Sequence, residues 1–229
     1  MDAYESTRDF WKSKDTQTAA ALSAALAEYM PLFAYHNCLL EDAEVSLQNA
    51  RELFADEKPS CGGDALRLLQ NQKACFALLL PKAAAGEDLT VELLRKVNDI
   101  LAKGLTTESD DEDEDSFLSP EELDEALETL VSEVNTYNGP QALKAAAYFE
   151  TKLEYLQPFA AATGLTARAL ANYFLLSREE PPLIFFENEA ERYFDALESY
   201  DISEEIGPML KLMREETIET WKTILSRAN

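Results

Sequence analysis

Residues 146–186 read AAYFETKLEYLQPFAAATGLTARALANYFLLSREEPPLIFF. Apolar positions recur at helical spacing up to Leu156, and Pro158, which has no amide donor, cannot continue that helix. The small residues that follow, Ala160 to Gly164, read as a turn. A second apolar helix is expected from about Leu165 to Leu176, closed by Pro181 and Pro182, and a short extended segment, Leu183 to Phe186, comes after it. Two apolar helices joined by a tight turn, with no alternation of period two, set the class as helix packed on helix.

The same punctuation extends outward in both directions. An alanine-rich helix is expected from Thr18 to Tyr29, ended by Pro31, and a second from Leu39 to Phe54 with Leu40, Ala43, Leu47, Ala50 and Phe54 on one side. A third runs from Ala65 to Leu80 and stops at Pro81. Thr90 is placed to cap a fourth, whose buried stripe is Leu93, Leu94, Val97, Ile100 and Leu101, with Gly104 to end it. Ser119, Pro120, Glu121 and Glu122 form a capping box with proline at the first helical position, opening a helix to about Val134. Gly139 and Pro140 break the chain again before a helix from Gln141 to Leu156, and two more fit Glu189 to Ser199 and Ser203 to Arg227. The expectation is an all-α single domain over residues 1–229 with eight or nine helices and no internal repeat, residues 1–34 forming an N-terminal helical extension.

The chain has 229 residues, 46% of them hydrophobic, with 20 Lys and Arg against 44 Asp and Glu, for a formal net charge of -24. Such composition buries a core and is not that of a disordered chain. No apolar run of membrane-spanning length and no signal-peptide pattern is present, so a cytoplasmic protein is expected. Cys38, Cys61 and Cys75 are an odd number without C-x-x-C spacing, which suits reduced thiols. The acid excess argues against binding nucleic acid or an anionic membrane, and it points to a basic protein partner, to cations, or to adaptation to salt. Between Lys103 and Lys144 there is no basic residue but 13 acids. Residues 106–116 therefore read as an acidic surface loop. Its run Glu108, Asp110, Asp111, Glu112, Asp113, Glu114 and Asp115 is the candidate surface for a basic partner.

The quoted stretch resembles the core of the Fic (filamentation induced by cAMP) family, whose members transfer AMP or another phosphate-linked group from a nucleotide to a protein hydroxyl. The family signature H-P-F-x-[DE]-G-N-G-R-x-x-R falls on Gln157 through Arg168. The frame is similar too: LTVELLRKVNDILAKGL at residues 89–105, the Pro181–Pro182 pair, RYFDAL at 192–197, and Asn37-x-Leu39 with the helix after it. The resemblance spans about Tyr35 to Leu225 and implies a Fic-like helical domain with the motif loop between two central helices.

Residue by residue, the resemblance implies loss of chemistry. The family's general-base histidine corresponds to Gln157, whose amide takes no proton at useful pH. The acidic metal ligand corresponds to Ala161, which has no ligand atom. Glycine and asparagine of the anion cradle become Ala162 and Thr163, Gly164 persists, and the first arginine becomes Leu165. Only Arg168 keeps its charge, while Pro158 and Phe159 match as packing residues. These departures argue against ordinary nucleotidyl transfer. If any anion or nucleotide binds, Thr163, Gly164 and Arg168 are the residues expected to hold it, at a helix N-terminus. The β-hairpin flap that docks targets in the family has no counterpart in the acidic loop. The family's inhibitory pattern, [ST]-x-x-x-E-[GN], aligns its glutamate nearest Tyr35 or His36, so no inhibitory glutamate is evident.

Other constellations carry weaker signals. Asp111, Asp113, Asp115, Ser119 and Glu122 stand at positions 1, 3, 5, 9 and 12 of a calcium loop, but Ser116 occupies the place of the turn glycine, so a solvated loop and capped helix is the preferred reading. His36 has no second histidine and reads as a polar residue at a helix start. Cys75, beside Phe76, reads as core packing. Phe185, Phe186, Tyr193 and Phe194 read as closing the core over the motif helix.

The leading expectation is a catalytically inactive Fic-like protein that acts as a protein-binding or regulatory module, without nucleotide, Mg²⁺ or Ca²⁺. The alternatives are a Fic-fold enzyme with altered phosphoryl or nucleotidyl transfer, and an acidic inhibitor of antitoxin or immunity kind directed at a basic, nucleic-acid-binding protein.

Overall fold

In the computed structural model, residues 2–105 and 118–227 are described. The acidic loop lies outside them, and with it Glu108 to Asp115 and three of the five calcium-loop positions. Asp2 opens the first helix, α1 (Ala3–Lys12), its side chain accepting the Tyr4 N–H at 3.2 Å. Thr18 caps α2 (Ala19–Ala25) in the same way, and α3 (Tyr29–Leu39) follows. Then come α4 (Leu47–Phe54), α5 (Gly63–Ala84) and α6 (Val91–Leu101). Beyond the acidic loop lie α7 (Pro120–Asn135), α8 (Ala142–Leu156), α9 (Thr163–Ser177), α10 (Ala190–Ser203) and α11 (Gly207–Arg227). Two single-turn 3-10 helices precede α8 and α10, and no strand is present among the described residues.

Three helix boundaries differ from the sequence expectation, each for a local reason. Pro31 does not end a helix but sits in the first turn of α3, where its missing N–H would have no partner in any case. Pro81 lies inside α5, which continues to Ala84. Pro81 and Ala77, whose carbonyl loses its donor, are both exposed, so water can serve that carbonyl. The single helix expected from Leu39 to Phe54 is two: Asp42 takes a left-handed φ of 54°, and Ser46 starts α4 with a reciprocal capping box to Asn49. The Thr90 cap and the Ser119–Glu122 box form as expected.

Helix α9 is the axis, with α5, α6 and α8 packed around it, and α7, α10 and α11 pack on α8. Nearly every residue of α9 is buried, which is why its sequence is apolar all round rather than striped. Residues 2–34 join the same core through Tyr4, Trp11, Leu22, Leu26 and Tyr29. Arg8 pins α1 to the chain beyond α9 by donating from Nε and Nη2 to Glu180, both at 2.6 Å. The extended segment 183–186 forms no ladder because side chains take its amides. Leu183 N–H donates to Asn172 Oδ1 at 2.7 Å and Ile184 N–H to Thr220 Oγ1 at 2.9 Å. No helix among the described residues is long and apolar enough to cross a membrane.

Candidate functional site

The motif loop turns twice through left-handed backbone. Gln157 caps α8 at φ 41°, and Ala162 precedes α9 at φ 61°. Neither is glycine, so each turn is held by its surroundings. Asn98 of α6 supplies that hold: its Nδ2 donates to Ala161 O at 2.9 Å and to Thr166 Oγ1 at 3.1 Å, and Thr166 Oγ1 donates to Ala162 O at 2.7 Å.

One turn into α9, Arg168 is 2% exposed. Its guanidinium is engaged from three directions: Nε donates to Asn37 Oδ1, Nη2 to Glu41, and Nη1 to Tyr193 Oη at 3.2 Å. Tyr193 in turn donates to Glu150 at 2.7 Å and lies 3.3 Å from Glu154. Gly164 sits in the middle. A Cβ there would stand 2.8 Å from Glu154 Oε1, 2.9 Å from Arg168 Nη1 and 3.0 Å from Glu41 Oε1. Glu41, Glu154 and, through Tyr193, Glu150 surround one guanidinium, and a side chain at position 164 would have to push the ends of Glu154, Arg168 and Glu41 aside.

The charges follow from this crowding. Burial disfavours the Arg168 cation, but Tyr193, Glu41, Glu150 and Glu154 together hold its pKa above the ordinary value. Burial pushes the Glu150 carboxyl up to about 8, with Glu154 adding to the rise and Arg168 opposing it. Glu154 is raised as well, chiefly by burial. Glu150 Oε2 and Asn37 Nδ2 are buried without a hydrogen-bond partner.

Among the described residues, those anticipated for the motif can be placed. Gln157 is exposed, and its amide is spent on the Glu154 carbonyl at 2.7 Å and carboxylate at 3.1 Å. Leu165 is buried apolar packing. Thr163 is buried, its Oγ1 turned back toward Phe159 O at 3.4 Å. Arg168, Gly164 and Thr163 are thus brought together, but the guanidinium is already satisfied from within. Ser119 and Glu122 serve the α7 cap. Among the described residues no group of three or more His, Cys, Asp or Glu is arranged to hold a metal ion.

Some anticipated details are overturned. The carboxylate paired with Arg168 is Glu41, a residue the alignment at Tyr35 or His36 did not reach. Asn37 to Asp42 matches the inhibitory spacing in a different register, with Asn in place of Ser or Thr and Asp in place of Gly or Asn. His36 lies in the last turn of α3, where burial lowers its pKa to about 4 with help from Arg227. Phe194 is half exposed rather than core, because α10 turns Tyr193 inward. Asn37, Glu41, Asn98, Glu150, Glu154 and Tyr193 come from four other helices and one turn, and sequence reasoning singled out only Asn37 and Tyr193, for other reasons. Cys75 is buried as expected, as are Phe185 and Phe186.

Residues 88–175 match the family model described as Fic/DOC family. Among solved structures, a Fic domain containing signalling protein from Bacteroides thetaiotaomicron superposes with a TM-score of 0.77 at 17% identity, covering 98% of this chain and 97% of that one. A segment of Fic-1 from C. elegans gives 0.77 at 17%, covering 97% and 70%. A Fic family protein from Desulfovibrio desulfuricans gives 0.67 at 15%, covering 100% and 75%. No curated protein matches the chain.

Proposed function

Because residues 88–175 belong to the Fic/DOC family and the chain takes the Fic helical fold, we propose that this protein has kept the fold without nucleotidyl transfer and acts by binding another protein. The observation that carries this reading is the state of Arg168. Its guanidinium, the one charge left from the phosphate-binding set, is buried and neutralised by Glu41, with Glu150 and Glu154 behind it. A nucleotide phosphate entering here would have to displace the Glu41 carboxylate and meet the buried Glu154 and Glu150 carboxyls, with Ala161 in the place of a metal ligand. Gln157 and Ala161 supply neither a base nor a metal ligand.

The partner fits a basic surface. A net charge of -24, with seven acids among residues 108–115, favours encounter with a positively charged protein and disfavours nucleic acid. No nucleotide or metal is needed for this role.

A thermal-shift panel of ATP, GTP, CTP and UTP, with and without Mg²⁺, tests the first half, and no shift is expected. A ligand at a hundred times its dissociation constant stabilises by about 2.7 kcal/mol, a rise of a few degrees. Such a rise, abolished by Arg168→Ala, would return the chain to the enzymes. For the second half, a captured partner should bind less tightly at high salt, and deletion of residues 108–115 should blunt that salt dependence. An unchanged dependence sinks the acidic surface as the binding face.

A further inference from the structure

The far end of α9 forms a second concave surface. The last turns of α5 and α9 and the loops after α1 and α7 enclose a cleft of about 380 Å³. Thr16, Gln17, Leu22, Ala85, Ser177 and Glu179 are among the residues that line it.

Its walls are rich in acceptors. Arg178, Glu179 and Glu180 return their amides to Leu175 and Leu176, and the residues four places beyond Ser177 and Arg178 are Pro181 and Pro182, which have no N–H, so the Ser177 and Arg178 carbonyls lack the usual helical donor. At the end of α5, the amides of Ala85, Gly86 and Glu87 return to Pro81, Ala83 and Lys82, leaving the Ala84 and Ala85 carbonyls without a backbone partner. The two helix ends touch: a Cβ on Gly86 would lie 3.7 Å from Ser177 O. Each helix also directs the negative end of its dipole here. Glu179, in left-handed backbone at φ 56°, adds a carboxylate that accepts from Gln17 Nε2 at 3.2 Å.

Arg178 is itself in the wall of the cleft and shows how this end of the molecule holds a cation. Its guanidinium lies over the Phe174 ring at 4.9 Å and donates to Asp88 at 2.6 Å and to Tyr137 O, just past α7, at 3.3 Å. Arg178 is therefore matched by Asp88, and Glu179 is left as the carboxylate of the cleft. Leu22 and Leu176 give the cleft an apolar floor that suits a methylene stem beneath a charged head. A bare metal ion needs ligands converging within about 2.6 Å of one point, which acceptors spread around a cleft of this size do not provide.

We propose that this cleft binds an alkylammonium or guanidinium group, borne by a lysine or arginine side chain of a peptide or by a free polyamine. The assignment rests on no property of the motif loop and stands apart from the nucleotide test.

The test is a titration of the ¹⁵N-labelled full chain, followed by NMR. The probes are acetyl-Gly-Lys-Gly-amide, the same peptide with norleucine for lysine, and spermidine. The lysine peptide should move the amide signals of Gly86, Ser177 and Glu179. Glu179→Gln should weaken its binding about tenfold, as expected for loss of a charge-assisted hydrogen bond. Ala85→Lys, which brings an ammonium of its own, should block binding while leaving the dispersed folded spectrum intact. Shifts with spermidine alone keep the cation site and assign it to a free amine. Equal binding of the norleucine peptide, shifts confined to other residues, no shift with either cation, or an affinity indifferent to Glu179→Gln would overturn the proposal.

Discussion

Arg168 Nη2 donates to the Glu41 carboxylate, joining the buried first half of α9 to the turn after α3 across 127 residues of chain. The guanidinium side chain is 3% exposed and the carboxylate 33% exposed, so the pair closes the motif cluster at its edge.

Removing the cation should cost more than removing this one anion. Arg168→Met leaves Glu150, Glu154 and Glu41 facing one another around an apolar side chain. A loss of about 3–5 kcal/mol is expected in urea denaturation, as for the breaking of other buried charge clusters. A loss under about 1 kcal/mol would mean that the cluster relaxes by taking up protons.

Glu41→Ala should cost about 1–2 kcal/mol, because the carboxylate is a third exposed and Glu154 remains beside the guanidinium. It should not create an ATP-dependent thermal shift, since Gln157, Ala161 and Leu165 are unchanged. A shift appearing in this variant would make Glu41 the group that excludes nucleotide.

Gly164→Ala should destabilise by about 1–3 kcal/mol although alanine is the better helix former by about 1 kcal/mol. The added methyl would stand within 3.0 Å of Glu154, Arg168 and Glu41 side-chain atoms. Thermal melts of this variant beside Gly207→Ala, where a Cβ meets nothing, separate crowding from propensity. Equal melting points would place the three side chains further from Gly164.

Glu150 gives the stability a pH dependence of definite sign. Its folded pKa is raised to about 8 from a usual 4.5, so between those values the folded state binds more protons than the unfolded one. Stability should therefore fall as pH rises through that window. The groups facing it are Arg168 of α9, Tyr193 of α10 and Glu154 of α8. Glu216, raised to about 8 mainly by burial, adds a second contribution of the same sign. Urea midpoints from pH 5 to pH 8 should decline less steeply in Glu150→Gln than in the unsubstituted chain, and identical slopes would remove Glu150 from the account.

The α7 cap is a local test independent of the cluster. Ser119→Ala removes the acceptor for the Glu122 N–H and should lower stability by about 1 kcal/mol. A neutral result in chemical denaturation would mean that α7 is held by its packing on α8 alone.

Local chemistry made much of this molecule legible in its sequence. Thr90 and the Ser119–Glu122 box announce helix starts because a side-chain oxygen can reach only the amides of the next turn. Proline was a poorer guide: Pro31 and Pro81 were expected to stop helices, yet the cost of a missing N–H depends on its place in the helix and on whether the freed carbonyl meets water. That Gln157, Ala161 and Leu165 stand in for the family's histidine, acid and first arginine is likewise a reading of the sequence by resemblance.

What surrounds Arg168 was decided by the tertiary structure. Its partners are 25 to 131 residues away, from α3, the turn beyond it, and α10. No spacing along the chain distinguishes Glu150 from the other acids among 44, and Glu41 stands out only by a pattern whose flanking positions differ. A surface carboxylate and a buried one have the same sequence signature, and only packing removes the water that separates their behaviour. The helix starts were thus written locally, while the network around Arg168 arises from contacts that exist only once α3, α8, α9 and α10 have come together.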